Sequence, residues 1–144
     1  MKSHLDGRVL VWPEAFSPEE CEILAGRFPY RGPGVALVQD PVNAYEVGLL
    51  CGARMKGGPA LQWLDWVTLP QFNRSVAWHL DEPKGATHKL CVYLDPGPGT
   101  EFRGLGVVGG HGAIVLFDIG LEHRSGEGAA ARRCLGLRAK RIRT

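Results

Sequence analysis

His88-Lys89-Leu90-Cys91-Val92-Tyr93-Leu94 and Ala113-Ile114-Val115-Leu116-Phe117 are short runs rich in β-branched and aromatic residues. Such residues favour β-strands. Similar runs cover residues 67–72, 76–80, 105–108 and 132–137, and Gly- and Pro-containing turns separate them. Several short strands within this part of the chain predict a sandwich or a barrel.

The N-terminal part of the chain has helical signals instead. Ser17-Pro18-Glu19-Glu20 offers an N-cap hydroxyl, a proline at the first helical position and a glutamate that completes a capping box. A weaker helical pattern runs from Ala44 to Met55. The 144 residues fit one domain. We therefore expect a mainly β, α+β protein in which residues 1–66 form a helical support region and residues 67–142 form the β core.

The charge and hydropathy of the sequence limit which classes of binding partner and membrane association it predicts. A net charge of +2, from 17 Lys and Arg against 15 Asp and Glu, does not imply a polyanionic ligand. The basic segment 138–143 is interpreted as a solvated terminal strand, and nucleic-acid contact is the weaker alternative. No run of about 18 apolar residues and no apolar leader are present, so we expect a cytoplasmic protein without a membrane span.

The cysteines show no metal-binding or redox motif. No Cys-x-x-Cys pair occurs, and in a reducing compartment free cysteines commonly behave as small buried apolar residues. We therefore expect all of them to be buried in the core: Cys21, Cys51, Cys91 and Cys134.

Trp78-His79-Leu80-Asp81 is the strongest chemical motif. Alternate side chains of a strand share one face, so His79 and Asp81 are expected to point the same way. An imidazole beside a carboxylate makes two-thirds of the facial triad that binds iron(II) and leaves open coordination positions. His-x-Asp also occurs by chance, so a third ligand from a remote strand is needed.

Two histidines in the segment 109–124 are candidates for that third ligand. His123 follows an apolar strand and a turn that would fold it back across a small barrel, so we prefer it. His111 lies in a glycine-rich hairpin, a position that is more often exposed. His4 and His88 have no such context and are interpreted as structural or surface residues.

The order of five separated motifs resembles the 2-oxoglutarate and iron(II)-dependent oxygenases, in particular the prolyl 4-hydroxylase-like branch. The motifs are Phe16-Ser17-Pro18-Glu19-Glu20-Cys21, Trp78-His79-Leu80-Asp81, Tyr93-Leu94-Asp95, Gly99-Thr100-Glu101-Phe102, and Gly112 to Phe117 continuing to His123. This resemblance implies a double-stranded β-helix core, which is a cupin-like jelly roll. It also implies iron(II) held by His79, Asp81 and His123, with 2-oxoglutarate and O2 as co-substrates and ascorbate as reductant. The implied activity is hydroxylation, with a peptide or protein side chain as the favoured substrate.

The family also places a basic residue that anchors 2-oxoglutarate nine or ten positions after the distal histidine, where this sequence has Arg132 and Arg133. A guanidinium can grip a carboxylate with two hydrogen bonds. We prefer Arg132 because strand alternation places it on the same face as the small residues Cys134 and Gly136.

Two further residues follow from the resemblance. Arg138 matches a second co-substrate contact in the related nucleic-acid-demethylating branch, with a solvated arginine as the alternative. Tyr93 matches a phenol that helps to hold the distal carboxylate, and a core tyrosine is the alternative. Pro70 stands where the family often has a tyrosine, so substrate preference does not transfer.

Two other functions compete with the oxygenase. A cupin-like metal enzyme could use the same barrel and ligands without 2-oxoglutarate, and Arg132 discriminates against it. A non-catalytic jelly-roll binding module would carry His79 and His123 as core residues. Asp81 favours hydroxylation over halogenation, since related halogenases replace this carboxylate with a small residue.

Overall fold

The computed structural model describes residues 1–29, 38–73, 77–126 and 132–142, with the backbone alone for residues 71–73. Within these ranges the chain is mainly β, as predicted. In chain order the elements are β1 (Lys2–His4), β2 (Val9–Trp12), α1 (Pro18–Arg27), β3 (Val38–Gln39), α2 (Pro41–Gly52), β4 (Leu61–Asn73), β5 (His88–Tyr93), β6 (Thr100–Phe102), β7 (Gly106–Val108), β8 (Ile114–Asp118), β9 (His123–Ser125) and β10 (Arg132–Arg141). Most of the predicted apolar run at residues 35–38 lies outside the described residues.

The strands form two antiparallel sheets. The larger sheet has seven strands in the order β1-β2-β8-β5-β10-β4-β3, and the smaller one has three in the order β7-β6-β9. Phe102 of the small sheet packs edge to face on Phe117 of the large sheet, with ring centroids 5.0 Å apart. This arrangement is compatible with a β-sandwich.

Both predicted helices are present. Ser17 Oγ accepts a hydrogen bond from the Glu20 amide at 3.1 Å, and the Ser17 amide donates to Glu20 Oε1 at 2.9 Å, which confirms the capping box at α1. Helix α2 begins at Pro41, earlier than predicted, because Asp40 caps it by accepting the Asn43 amide. Asp40-Pro41 is the sequence signal for this start.

The expected helical support region, residues 1–66, contains both helices but also strands that were not predicted. Strands β1 and β2 belong to the large sheet, and Val11 of β2 lies opposite Val115 of β8. A run as short as Val9–Trp12 carries too little periodicity to be separated from a loop. Strand β4 starts at Leu61, so the predicted boundary at residue 67 falls inside a strand.

Both faces of the large sheet pack against buried residues. Alternate side chains of β10 point to opposite faces. Leu135 and Leu137 join a core with Leu24 of α1 and Val47 of α2. Cys134 packs on the opposite face. The helices therefore cover one face of the sheet, and the other face is left for the small sheet and the site described next.

The basic C-terminal segment is only partly solvated. Lys140 and Arg141 are exposed, but Arg138 is buried, which corrects its interpretation as a solvated residue. Its register explains the difference, since Arg138 lies opposite Lys89 inside the sheet. No helix in the described part of the chain is long and apolar enough to cross a membrane.

Candidate metal centre

His79, Asp81 and His123 converge in the structure. One potential ligand atom from each residue lies within 4.8 Å of the others. Their segments are far apart in sequence, because His79 follows β4 whereas His123 begins β9. The structure thus brings together the three residues that the sequence singled out as metal ligands.

The segment that carries His79 differs from the predicted strand. Val76 lies outside the described residues, and among residues 77–81 only His79 is paired, in an isolated bridge to His123. The two residues exchange backbone hydrogen bonds, with N···O distances of 2.9 Å and 3.0 Å. A single backbone bridge to His123 therefore positions His79, where a regular strand was expected.

Each histidine ring is oriented by a backbone carbonyl. His79 Nδ1 lies 3.0 Å from the Ala77 oxygen, and His123 Nδ1 lies 2.9 Å from the Leu121 oxygen. A carbonyl oxygen only accepts, so Nδ1 is the protonated nitrogen in each neutral ring. Nε2 is then the nitrogen of each neutral ring that carries a lone pair, and this arrangement is typical of histidines that bind metal ions. His123 Nε2 faces the Asp81 carboxylate.

Trp78 holds the same segment from outside. The guanidinium carbons of Arg103 and Arg124 lie 4.6 Å and 4.3 Å from centroids of its ring system. Arg103 pairs with Glu122, and Arg124 pairs with Glu101, each at 2.6 Å. These cation–π contacts fasten the His79 segment to the small sheet.

Asp81 is the carboxylate of the cluster. Its Oδ2 lies 3.1 Å from both His123 Nε2 and Lys89 Nζ, and its Oδ1 lies 3.9 Å from His79 Nε2. Oδ2 makes no hydrogen bond within the described residues, so the attraction is mainly electrostatic. Burial alone would raise the pKa of Asp81, but His123 and the charge of Lys89 outweigh it and hold that pKa well below its usual range. Asp81 is therefore ionised and able to bind a cation.

Lys89 is a site residue that was missed. It belongs to β5, and alternation puts it on the same face as Cys91 and Tyr93. A lysine on an otherwise apolar face was the available sequence signal for its inward position, but its contact with Asp81 depends on strand pairing that a single sequence does not specify.

A cavity of about 250 Å³ surrounds the cluster. At ~30 Å³ per water molecule it would hold about eight waters, which is the scale of a small organic acid. Its walls are mostly polar. The lining residues are Thr68, His79, Asp81, Lys89, Cys91, Thr100, His123, Ser125, Cys134 and Gly136.

A larger surface groove of about 530 Å³ lies elsewhere and is lined in part by His4 and His111. It contains neither His79, Asp81 nor His123. We place the candidate site in the smaller cavity, because the smaller cavity holds the three potential ligands. His88 stands apart from both, with its Nδ1 2.8 Å from the Thr87 hydroxyl.

Arg132 and Tyr93 lie close to the cavity but are not among the described residues that line it. Arg132 is 2% exposed, its guanidinium carbon sits 4.7 Å from the Tyr93 ring centroid, and one nitrogen donates to the Gly99 oxygen at 3.2 Å. The Tyr93 hydroxyl contacts the Thr100 hydroxyl at 2.5 Å, and Thr100 lines the cavity. Among the described residues, Nε and one Nη of Arg132 have no hydrogen-bond partner.

The other two arginines of β10 have different surroundings. Arg138 is buried, and two of its nitrogens also lack a partner within the described ranges. Burial lowers the pKa of Arg138. Arg133 pairs with Asp95 at 2.7 Å and with Glu22 of α1 at 3.1 Å. Its guanidinium is therefore already neutralised by other residues.

The cysteines are free thiols. Cys21, Cys51 and Cys91 are buried as predicted, whereas Cys134 is only half-buried and lines the cavity together with Cys91. The prediction for Cys134 is therefore wrong in part, because its face of β10 borders open space.

Two imidazoles and one carboxylate around an open cavity match the donor set of a facial triad, so these residues fit a divalent metal ion such as iron(II). Comparisons with protein-family models and with curated protein sequences gave no match.

Proposed function

We propose that this protein is a non-haem iron(II)- and 2-oxoglutarate-dependent dioxygenase of the prolyl 4-hydroxylase-like type. In this proposal the two sheets form a double-stranded β-helix core. The observation that carries it is the meeting of His79, Asp81 and His123 in one cavity, with the Nδ1 atom of each imidazole held by a backbone carbonyl so that Nε2 is the nitrogen left for a metal ion.

Bound iron(II) would supply the redox chemistry that couples oxidative decarboxylation of 2-oxoglutarate, yielding succinate and CO2, to hydroxylation of a substrate. The protein's own contribution is geometric and electrostatic. His79, Asp81 and His123 would hold the ion from one side, and the Ala77 and Leu121 carbonyls fix the two rings.

Arg132 supports a dicarboxylate co-substrate. A buried guanidinium with unpartnered nitrogens costs free energy unless an anion reaches it. Thr100 lines the cavity and contacts the Tyr93 hydroxyl, and the Tyr93 ring packs against the Arg132 guanidinium, so a distal carboxylate near Thr100 would approach both the phenol and the guanidinium. Arg138, buried on the same strand, is proposed as a second contact with the co-substrate.

The proposed substrate is a peptide or protein side chain. The site is open to solvent at His79, whose side chain is 40% exposed. Such a position could contact a substrate whose main bulk stays outside the cavity.

A test of the activity needs no primary substrate. The purified protein is incubated with iron(II), ascorbate, O2 and 2-oxoglutarate, and succinate is measured by mass spectrometry. We expect slow succinate release that requires iron and is lost in Asp81→Ala. An iron-loaded protein that neither binds 2-oxoglutarate nor releases succinate would contradict the proposal.

A cupin-like metal enzyme that does not use 2-oxoglutarate is the second candidate. One observation favours it, since Arg132 is not among the residues that line the cavity. This enzyme would bind a metal ion at the triad and show no affinity for 2-oxoglutarate, so a binding titration separates the two functions.

A further inference from the structure

Lys89 has an unusual place for a lysine. Its side chain is only 18% exposed, and its ammonium lies 3.1 Å from Asp81 Oδ2. Lysines are rarely buried without a partner. The stem passes over Gly136, where an added Cβ would stand 3.5 Å from Lys89 Cε. The lysine stem therefore packs at ordinary contact distance over position 136, inside the cavity.

The cavity lining brings one carboxylate and one ammonium together. Among its described lining residues, Asp81 is the one carboxylate, and Lys89 is the one lysine or arginine. Both Lys89 and His123 approach the same oxygen, Asp81 Oδ2. A metal ion bound by Asp81 and the two histidines would compete with the ammonium for that carboxylate.

A divalent ion would also repel the ammonium. With neutral histidines, the ion, Asp81 and Lys89 together carry a net charge of about +2, and a buried cation without a partner is costly. An anion with two carboxylates would cancel that charge. Lysine suits an exchange of partners, since its ammonium has three donors on a flexible stem.

We propose that Lys89 is an exchangeable cation of the site, which pairs with Asp81 in the metal-free protein and with a carboxylate of the bound 2-oxo acid once a metal ion is present. The identity of the acid rests on the proposed function. Lys89 then has opposite effects on two affinities: it weakens metal binding by competing for Asp81, and it strengthens binding of the acid to the metal-loaded protein.

The test compares Lys89→Met, which keeps an unbranched stem but removes the charge, with the wild type and with Lys84→Met. Lys84 lies outside the cavity, near Glu82 and the Trp66 ring, and serves as the matched control. Manganese(II) replaces iron(II) so that no turnover occurs, and calorimetry measures the binding first of the metal and then of 2-oxoglutarate.

We expect Lys89→Met to bind manganese(II) on the order of tenfold tighter than the wild type, and then to bind 2-oxoglutarate on the order of tenfold to a hundredfold weaker. Lys84→Met should match the wild type in both titrations. If Lys89→Met does not fold, as judged by its circular dichroism, Lys89→Gln replaces it with the same expectations.

Weaker metal binding by the neutral variant would overturn the proposal, because it would show that Lys89 only supports the position of Asp81. Unchanged 2-oxoglutarate affinity would overturn it as well. A wild type that binds manganese(II) but not 2-oxoglutarate would instead contradict the dioxygenase function, and the metal titration would still decide whether Lys89 competes for Asp81.

Discussion

The His79 and His123 rings lie edge to face with their centroids 4.4 Å apart, above a backbone bridge in which each residue donates to the other. The protein itself therefore holds the two imidazoles together before any metal ion binds. A site preorganised in this way does not need to order its ligands on binding, which favours affinity.

The first prediction concerns the third ligand. His123→Ala should lose stoichiometric iron(II) after anaerobic loading, as measured by metal analysis, because it removes one of the three donor atoms. His111→Ala is the matched control and should retain the metal, since His111 lines a different groove. Circular dichroism checks that both variants stay folded. Retention of iron by His123→Ala together with its loss from His111→Ala would show that the ligand is misassigned.

The second prediction separates the adjacent arginines. Arg132→Ala should weaken 2-oxoglutarate binding to the manganese(II)-loaded protein by roughly 3–5 kcal/mol, on the order of a hundredfold to several-thousandfold, since a buried carboxylate would lose its partner. Arg133→Ala should leave that affinity near the wild-type value, because Arg133 pairs with Asp95 and Glu22. Calorimetry measures both. Strong loss at Arg133 with near-normal affinity at Arg132 would assign the anchor to Arg133.

The third prediction is a pH dependence of folding at the start of α1. Hydrogen bonds from Arg54 and from the Ser17 amide lower the pKa of Glu20 from 4.5 to about 2. A depressed pKa contributes stability above the unfolded-state value, and this contribution is lost as the pH falls through the folded-state value. Thermal melts should show the wild type more stable than Glu20→Gln above about pH 4.5 and the difference vanishing toward about pH 2. A difference that does not change with pH would contradict the assigned pairing.

The sequence predicted those parts of the site that depend on local spacing. His79 and Asp81 are only two positions apart in sequence. They therefore stay close even though residues 77–81 do not form the predicted regular strand. His123 followed from a strand and turn that the structure contains as β8 and the start of β9.

The parts that depend on pairing between strands could not be predicted. Lys89 became part of the site because β5 lies beside β10, and Arg138 is buried because it lies opposite Lys89. The cation–π contacts of Arg103 and Arg124 with Trp78 likewise require the small sheet. These relationships are set by register between distant segments, which a single sequence does not specify.

The most direct measurement of the dioxygenase function is an anaerobic titration of the iron(II)-loaded protein with 2-oxoglutarate, followed by visible absorption. Chelation of iron by the 2-oxo acid gives a charge-transfer band. We predict that the band appears and saturates in the wild type and is absent from Asp81→Ala. An iron-loaded wild-type protein that shows no band at saturating 2-oxoglutarate would contradict the proposed function.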